Sequence, residues 1–351
     1  MKTKNRKLTL LIAGLIIGVI GGLLVVWGNP KNMGICVACF WRDVAGGLGL
    51  HRAGVVQYLR PEILGFVLGA FISSIIGKDF KSRGGSSPMI RFILGFFLMI
   101  GALVFLGCPL RMLLRIGGGD LNAIVGLLGY IVGILIGIVF IKKGFSLGRA
   151  HKQSKIGANI MPAIACALLI FLLVKPSFIF FSEEGPGSMH ALPIISLIAG
   201  LIVGTLLQRT RLCTAAGFRD AFLIKDYAPL MGLVGVIVGA LIVNLIAGNF
   251  NLGFEGQPVA HSNHLWNFLG MVLVGLASVL LGGCPIRQTI LSGEGDQDAA
   301  VTVLGLITGA AFCHNFGLAA SPKGVPTNGM IAVIIGLCVA LIIAATSRRE
   351  A

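Results

Sequence analysis

The segment GCPLRMLLRIGGGD at 107–120 returns as GCPIRQTILSGEGD at 283–296. A shift of 176 overlays the copies without a gap, and both keep GCPxR, two glycines and the closing Asp. Proline suits the first turn of a helix, where its missing N–H costs nothing. Cys108 and Cys284 are therefore placed at helix N-caps, where free N–H groups and the helix dipole favour negative charge. Arg111 and Arg287, three residues on, are expected to point back to the same place, so an anion can bind beside each thiol. The plainer reading is a short helix whose Arg snorkels to the headgroups; two matched copies weigh against it. Asp120 and Asp296 follow a Gly-rich turn and precede an apolar run, the pattern of an N-cap.

A second pair lies upstream at a shift of 177: ICVACFWRD (35–43) against LCTAAGFRD (212–220). Cys36 matches Cys213, Arg42 matches Arg219, and each Arg precedes an Asp expected to bond elsewhere or to cap a helix. Both read as short re-entrant segments. Cys36 and Cys39 form a C-x-x-C, which suggests redox or metal chemistry. Ala216 stands where Cys39 would be matched, so the single cysteines carry the pattern, and no second C-x-x-C completes a four-thiolate site. His261, His264 and His314 lack a metal-like spacing and read as structural. Cys166 and Cys338, inside apolar spans, read as small buried hydrophobes.

Four repeat-related cysteines, four repeat-related arginines and several helix N-termini are thus expected to converge near one midplane. That set suits a small anion with a soft, polarizable atom: guanidinium and dipole meet the charge, and thiols offer S–H contacts to sulfur or selenium. A hard oxyanion such as phosphate would not need the cysteines.

The elements that must position them come from composition. The chain has 351 residues, 56% hydrophobic and 12% charged, with mean hydropathy +0.94. Lipid is the solvent for such a chain. The apolar runs are continuous rather than alternating, which excludes a transmembrane β-barrel. They fall near 8–27, 61–77, 90–106, 121–141, 158–175, 191–207, 228–248, 266–282, 299–318 and 329–346. MKTKNRK starts like a signal peptide, but no convincing small-residue cleavage site follows, so Leu8–Trp27 reads as a first span. With the N-terminus inside, 20 of the 28 basic residues lie on inner segments, from Lys2, Lys4, Arg6 and Lys7 to Arg348 and Arg349. Both termini are therefore expected in the cytoplasm. Topology absorbs most of the net charge of +15, and no nucleic-acid partner is implied. The fold expected is an all-α polytopic membrane protein of nine to ten transmembrane helices plus short re-entrant helices. Its pseudo-repeats are 1–180 and 181–351, one integral unit. Five spans per half is an odd number, so the second half is threaded in the opposite sense, an inverted repeat.

Two pseudo-repeats with cysteines in short re-entrant segments, GCPxR among them, resemble the YeeE/YedE family of inner-membrane sulfur-compound transporters over essentially the whole chain. The nearest resemblance is to the YedE-like branch associated with selenium metabolism. The resemblance implies an hourglass-shaped bacterial inner-membrane protein that passes thiosulfate along a line of cysteines, here Cys36, Cys108, Cys213 and Cys284. It also implies a small cytoplasmic sulfurtransferase-like partner with a Cys-Pro motif. It implies no enzyme activity, cofactor or resident metal. The double GCPxR and Cys39 depart from a plain thiosulfate transporter. Two other readings compete: a membrane thiol oxidoreductase cycling Cys36 and Cys39, and a soft-metal transporter, which would want more converging Met, His or paired Cys. The sequence shows no P-loop and no acidic pair clearly inside a span, so it names no energy source.

Overall fold

A computed structural model describes residues 3–347. Lys2, Arg348 and Arg349, counted above among the inner charges, lie outside the described residues. Fourteen helices follow one another: α1 (Thr3–Val26), α2 (Val37–Gly47), α3 (Pro61–Ile76), α4 (Pro88–Phe105), α5 (Pro109–Gly117), α6 (Leu121–Lys142) and α7 (Lys155–Val174). Then come α8 (Pro193–Thr210), α9 (Thr214–Ile224), α10 (Ala228–Ile246), α11 (His264–Leu280), α12 (Pro285–Gly293), α13 (Gln297–Asn315) and α14 (Thr327–Thr346). The second seven repeat the first in order and in relative length, with short helices second and fifth in each set. Each of the ten apolar runs falls on one of the ten long helices. Among the described residues, nine stretches are long and apolar enough to cross a membrane. Helix α13, with Gln297 and Asp298 at one end and His314 and Asn315 at the other, falls short of that measure. The chain is an all-α, multi-pass membrane protein.

The two sets of seven interleave. Helix α1 lies along α10, and α8 lies along α3; α6 lies along α11, and α13 along α4. Each contact has its counterpart with the halves exchanged. Glycine permits the approach: a Cβ on Gly14 would stand 1.9 Å from the carbonyl oxygen of Gly232. Without a hydrophobic force between helices in lipid, such backbone contact is what holds spans together. The correspondence lapses at the last helix, since α7 lies on α3 and α12 while α14 lies on α4 and α11.

Those peripheral helices correct one expectation. Cys166 on α7 and Cys338 on α14 are exposed, not buried. They face outward among apolar side chains, where lipid serves as well as a core.

Candidate functional site

The four short helices each begin on a cysteine: Cys36 caps α2, Cys108 caps α5, Cys213 caps α9 and Cys284 caps α12. Proline follows at Cys108 and Cys284, as the motif requires. Asp120 caps α6 through the N–H of Asn122 at 2.9 Å, and Asp296 caps α13 through that of Ala299 at 2.9 Å.

The thiols form two clusters rather than one. In the first half, the Cys36 and Cys108 thiols are neighbours, and Cys36 Sγ accepts the N–H of Cys39 at 3.2 Å. Arg111 closes over them, donating to Cys39 Sγ at 3.2 Å, to the Asn32 carbonyl at 2.6 Å and to the Val259 carbonyl at 3.0 Å. Asn32 and Val259 belong to the segments 27–36 and 247–263, so the guanidinium ties two loops across the thiols. All of these cysteines and Arg111 are buried. His261 adds a further tie to its loop: Nε2 lies 2.7 Å from the Val104 carbonyl, while Nδ1 accepts the N–H of Asn263. His51 repeats the arrangement between the Arg42 carbonyl and the N–H of Ala53. Burial pushes both imidazoles below the ordinary histidine value, which favours the neutral ring each arrangement uses.

In the second half, Cys213 and Cys284 stand 3.4 Å apart, sulfur to sulfur, as free thiols, and the N–H of Cys284 points at Cys213 Sγ at 3.5 Å. A cavity of about 240 Å³ leads to Cys213. It is lined by Arg6, Arg211, Arg219 and Arg287, with Asp220 as its one carboxylate. Arg6, Arg219 and Arg287 are ion-paired to Asp226, Asp220 and Glu294, and Arg211 has no ion pair among the described residues, so the cavity carries a modest net positive charge. Arg6 meets Asp226 at 2.6 Å. Trp41 Nε1 donates to Thr289 Oγ1 at 3.0 Å, joining α2 to α12, and the Tyr130 hydroxyl meets Thr214 Oγ1 at 3.0 Å, joining α6 to α9. Each bond links a thiol-bearing short helix to the other half.

Several site expectations change. The four repeat-related cysteines do not converge on one point but pair within their own halves. Only Arg111 of the four repeat-related arginines touches a thiol, and that thiol is Cys39. Arg287 turns instead to Glu294 at 3.0 Å. Arg42 and Arg219 were expected to bond away from their neighbouring aspartates, yet each holds its own: Arg42 to Asp43 at 2.7 Å, Arg219 to Asp220 at 2.8 Å. A guanidinium is long enough to curl back on the next residue's carboxylate and satisfy it without a second element. Arg6 and Arg211 enter the cavity unannounced by any motif; their only signal was membership of the inner, positive segments. Among the described residues, no group of three or more His, Cys, Asp or Glu could hold a metal ion.

Broken spans whose half-helices start on thiols, beside a cavity lined by guanidiniums, are an arrangement found in multi-pass membrane proteins built from repeats. Residues 209–348 match the family described as sulphur transport. A thiosulfate transporter, TsuA, of Spirochaeta thermophila is 31% identical over 28% of this chain and 29% of its own length. The thiosulfate transporter TsuA of Escherichia coli is 31% identical over 30% of each chain. The matched stretches thus span about a third of these relatives.

Proposed function

We propose that the chain takes up a small sulfur-containing anion, thiosulfate foremost, across the bacterial inner membrane. The cavity that ends on Cys213, whose sulfur stands 3.4 Å from that of Cys284, carries this reading. Its guanidiniums concentrate a divalent anion, and two thiols 3.4 Å apart meet the anion's terminal sulfur. The buried Cys36–Cys108 pair is the equivalent station at the opposite end, so cargo moves from one thiol pair to the other by S–H contacts without covalent change. The two halves, 1–180 and 181–351, are inverted copies. Arg6 lies beside the cavity, so the positive-inside rule turns that mouth to the cytoplasm, with both termini on that side. A small cytoplasmic sulfurtransferase-like protein receives the cargo there. A selenium anion of the same shape and charge asks for the same groups and is a second cargo. The matched relatives bear transporter names, and a redox cycle at Cys36 and Cys39 is not favoured.

The test is uptake of radiolabelled thiosulfate into proteoliposomes. Cys213→Ala and Cys284→Ala are each expected to reduce uptake to background, while Cys166→Ala, on the lipid face, leaves it intact. Undiminished uptake in both cavity variants overturns the reading. Competition by selenium analogues at equal concentration decides whether selenium shares the path.

A further inference from the structure

A cavity of about 600 Å³ lies away from the thiols. Two connecting segments build it, paired as a two-stranded antiparallel sheet: Arg83 opposite Lys152, Gly84 opposite His151. The sheet is stitched to its surroundings. Ser82 Oγ donates to the Gln153 carbonyl at 2.9 Å and the Ser154 carbonyl at 2.7 Å, and Gln297 Nε2 donates to Ser154 at 3.1 Å. This is a formed pocket and not a gap between loose loops.

Its walls are one-signed. Lys81, Arg83, His151, Lys152, Lys155 and Asn159 line it, and no carboxylate does. Arg83 is neutralised by Asp296 at 2.7 Å. Among the described residues, Lys81, Lys152 and Lys155 form no ion pair. Three lysines around one volume, with no carboxylate among its lining residues, give it a positive potential that favours an anion.

The depth of the pocket says which anion. Lys155 opens a membrane-crossing helix, so the cavity sits at the edge of the hydrocarbon. From that rim Ile156, Ile160 and Ile164 run down α7 at a spacing of four, exposed by 81%, 50% and 39%. Cationic headgroup pocket and apolar stripe share one helix. Basic pockets beside transmembrane helices on the cytoplasmic side are suited to phosphorylated headgroups.

We infer that this cavity is a binding site for the phosphodiester headgroup of an anionic phospholipid, whose acyl chains lie along the Ile156–Ile160–Ile164 stripe. The lysines supply charge, Asn159 a hydrogen-bond donor, and the two-stranded sheet fixes the floor. A free phosphate would use the same charges but not the stripe. The site is separate from the transport reading and stands or falls without it.

Native mass spectrometry of the full chain in detergent tests it, with phosphatidylglycerol, phosphatidylcholine and inorganic phosphate as probes. The protein is expected to retain phosphatidylglycerol in preference to phosphatidylcholine, and millimolar inorganic phosphate is not expected to displace it. The triple variant Lys81→Ala, Lys152→Ala, Lys155→Ala should lose on the order of a hundredfold in affinity, at about a kcal/mol per lysine. Lys142→Ala with Lys143→Ala, basic residues outside the cavity, should lose none. Equal retention of both lipids, an unaffected triple variant, or displacement by inorganic phosphate would overturn the lipid assignment.

Discussion

Arg111 and Arg287 occupy the same place in the two copies of GCPxR, and their surroundings differ. Arg111 is fully buried, with a thiol and two loop carbonyls as acceptors. Arg287 borders an open cavity and bonds one carboxylate. The same contrast runs through the other repeated residues. Asp43 holds Arg42 on one oxygen and Arg60 on the other, and Arg60 reaches on to the Met189 and Pro186 carbonyls. Asp220 holds Arg219 alone among ion pairs, and Ala228 stands before the proline that matches the one after Arg60. Asp120 is paired to buried Arg115, whose place in the second copy is Leu291; Asp296 is paired to half-exposed Arg83. Two unrepeated arginines, Arg60 and Arg115, add fully buried ion pairs on the side of the buried Cys36, Cys39 and Cys108, which is the sealed end of the comparison, while the end that bears the cavity is the open one.

The largest effects should come from the repeated arginines themselves. Arg111→Ala leaves two loop carbonyls and a thiol without their donor, at about 1.5–3 kcal/mol for each bond to a charged group. It is expected to lower thermal stability by several degrees in detergent and to let thiol reagents reach Cys39 from the loop side. Arg287→Ala leaves buried Glu294 without its partner, so it should lower the melting temperature, though by less than Arg111→Ala with its three lost bonds, and reduce thiosulfate uptake by about tenfold through lost charge in the cavity. Equal losses of stability in both variants would show the two ends to be packed alike.

Next come the capping aspartates. Asp120→Asn strips the partner from Arg115, both of whose side chains are fully buried, and breaking such a pair costs about 3–5 kcal/mol. Asp296→Asn removes a pair in which Arg83 is 40% exposed, where solvent screening holds the pair to about 1 kcal/mol or less. Asn caps a helix nearly as well as Asp, so the difference between the variants reads the ion pair and not the cap. Denaturation of each in the same detergent gives the comparison.

A smaller effect belongs to the histidines of the sealed end. Burial holds His51 and His261 below the ordinary value in the folded state. Arg42 opposes protonation of the first, with Asp43 in partial compensation. Arg115 and His264 oppose that of the second, with Asp120 in compensation. A depressed folded value means that the unfolded or opened state binds the proton first. The contribution is therefore present above about pH 6.5 and lost as pH falls from there toward the folded values. Protection against hydrogen exchange, corrected for the intrinsic pH dependence of amide exchange, should fall across 48–60 and 247–263 between pH 7 and 5, while protection around Arg219 stays level. Uniform exchange at both ends would remove the histidines from the seal.

Much of this was legible in the sequence, and the limits have physical causes. Continuous apolar runs marked every long helix, and Cys-Pro and Gly-Asp marked starts, because caps are local chemistry. Lipid hides the difference between core and surface: Cys166 and Cys338 sit in runs as apolar as any, yet face outward. Partner choice was not local either. Asp43 looked free to bond elsewhere, and it does take Arg60, 17 residues on, while keeping its neighbour Arg42. Arg60 lay outside the repeated segments and Arg115 at an unmatched position within one, so nothing but their charge in an apolar chain set them apart. The approach of Cys213 to Cys284 follows from where the starts of α9 and α12 meet, a property of the packing alone.

The smallest expected effect is at the mouth of the open end. Asp226 is held below the ordinary carboxylate range, chiefly by the N–H of Ala228 and then by Arg6. A depressed folded value gives stability that is present above the unfolded value, about pH 3.9, and lost as pH falls through the folded one. Arg6 and Asp226 are 49% and 25% exposed, so screening reduces the pair to below about 1 kcal/mol. Asp226→Asn should therefore melt within a degree or two of the parent at neutral pH, and the two should converge below about pH 4. Raising salt should narrow the gap, as it does for exposed charges and not for buried ones. A loss as large as that from Asp120→Asn, insensitive to salt, would mean that the cationic end is locked as firmly as the sealed one, and the contrast between Arg111 and Arg287 would then report local geometry and not the closure of a path.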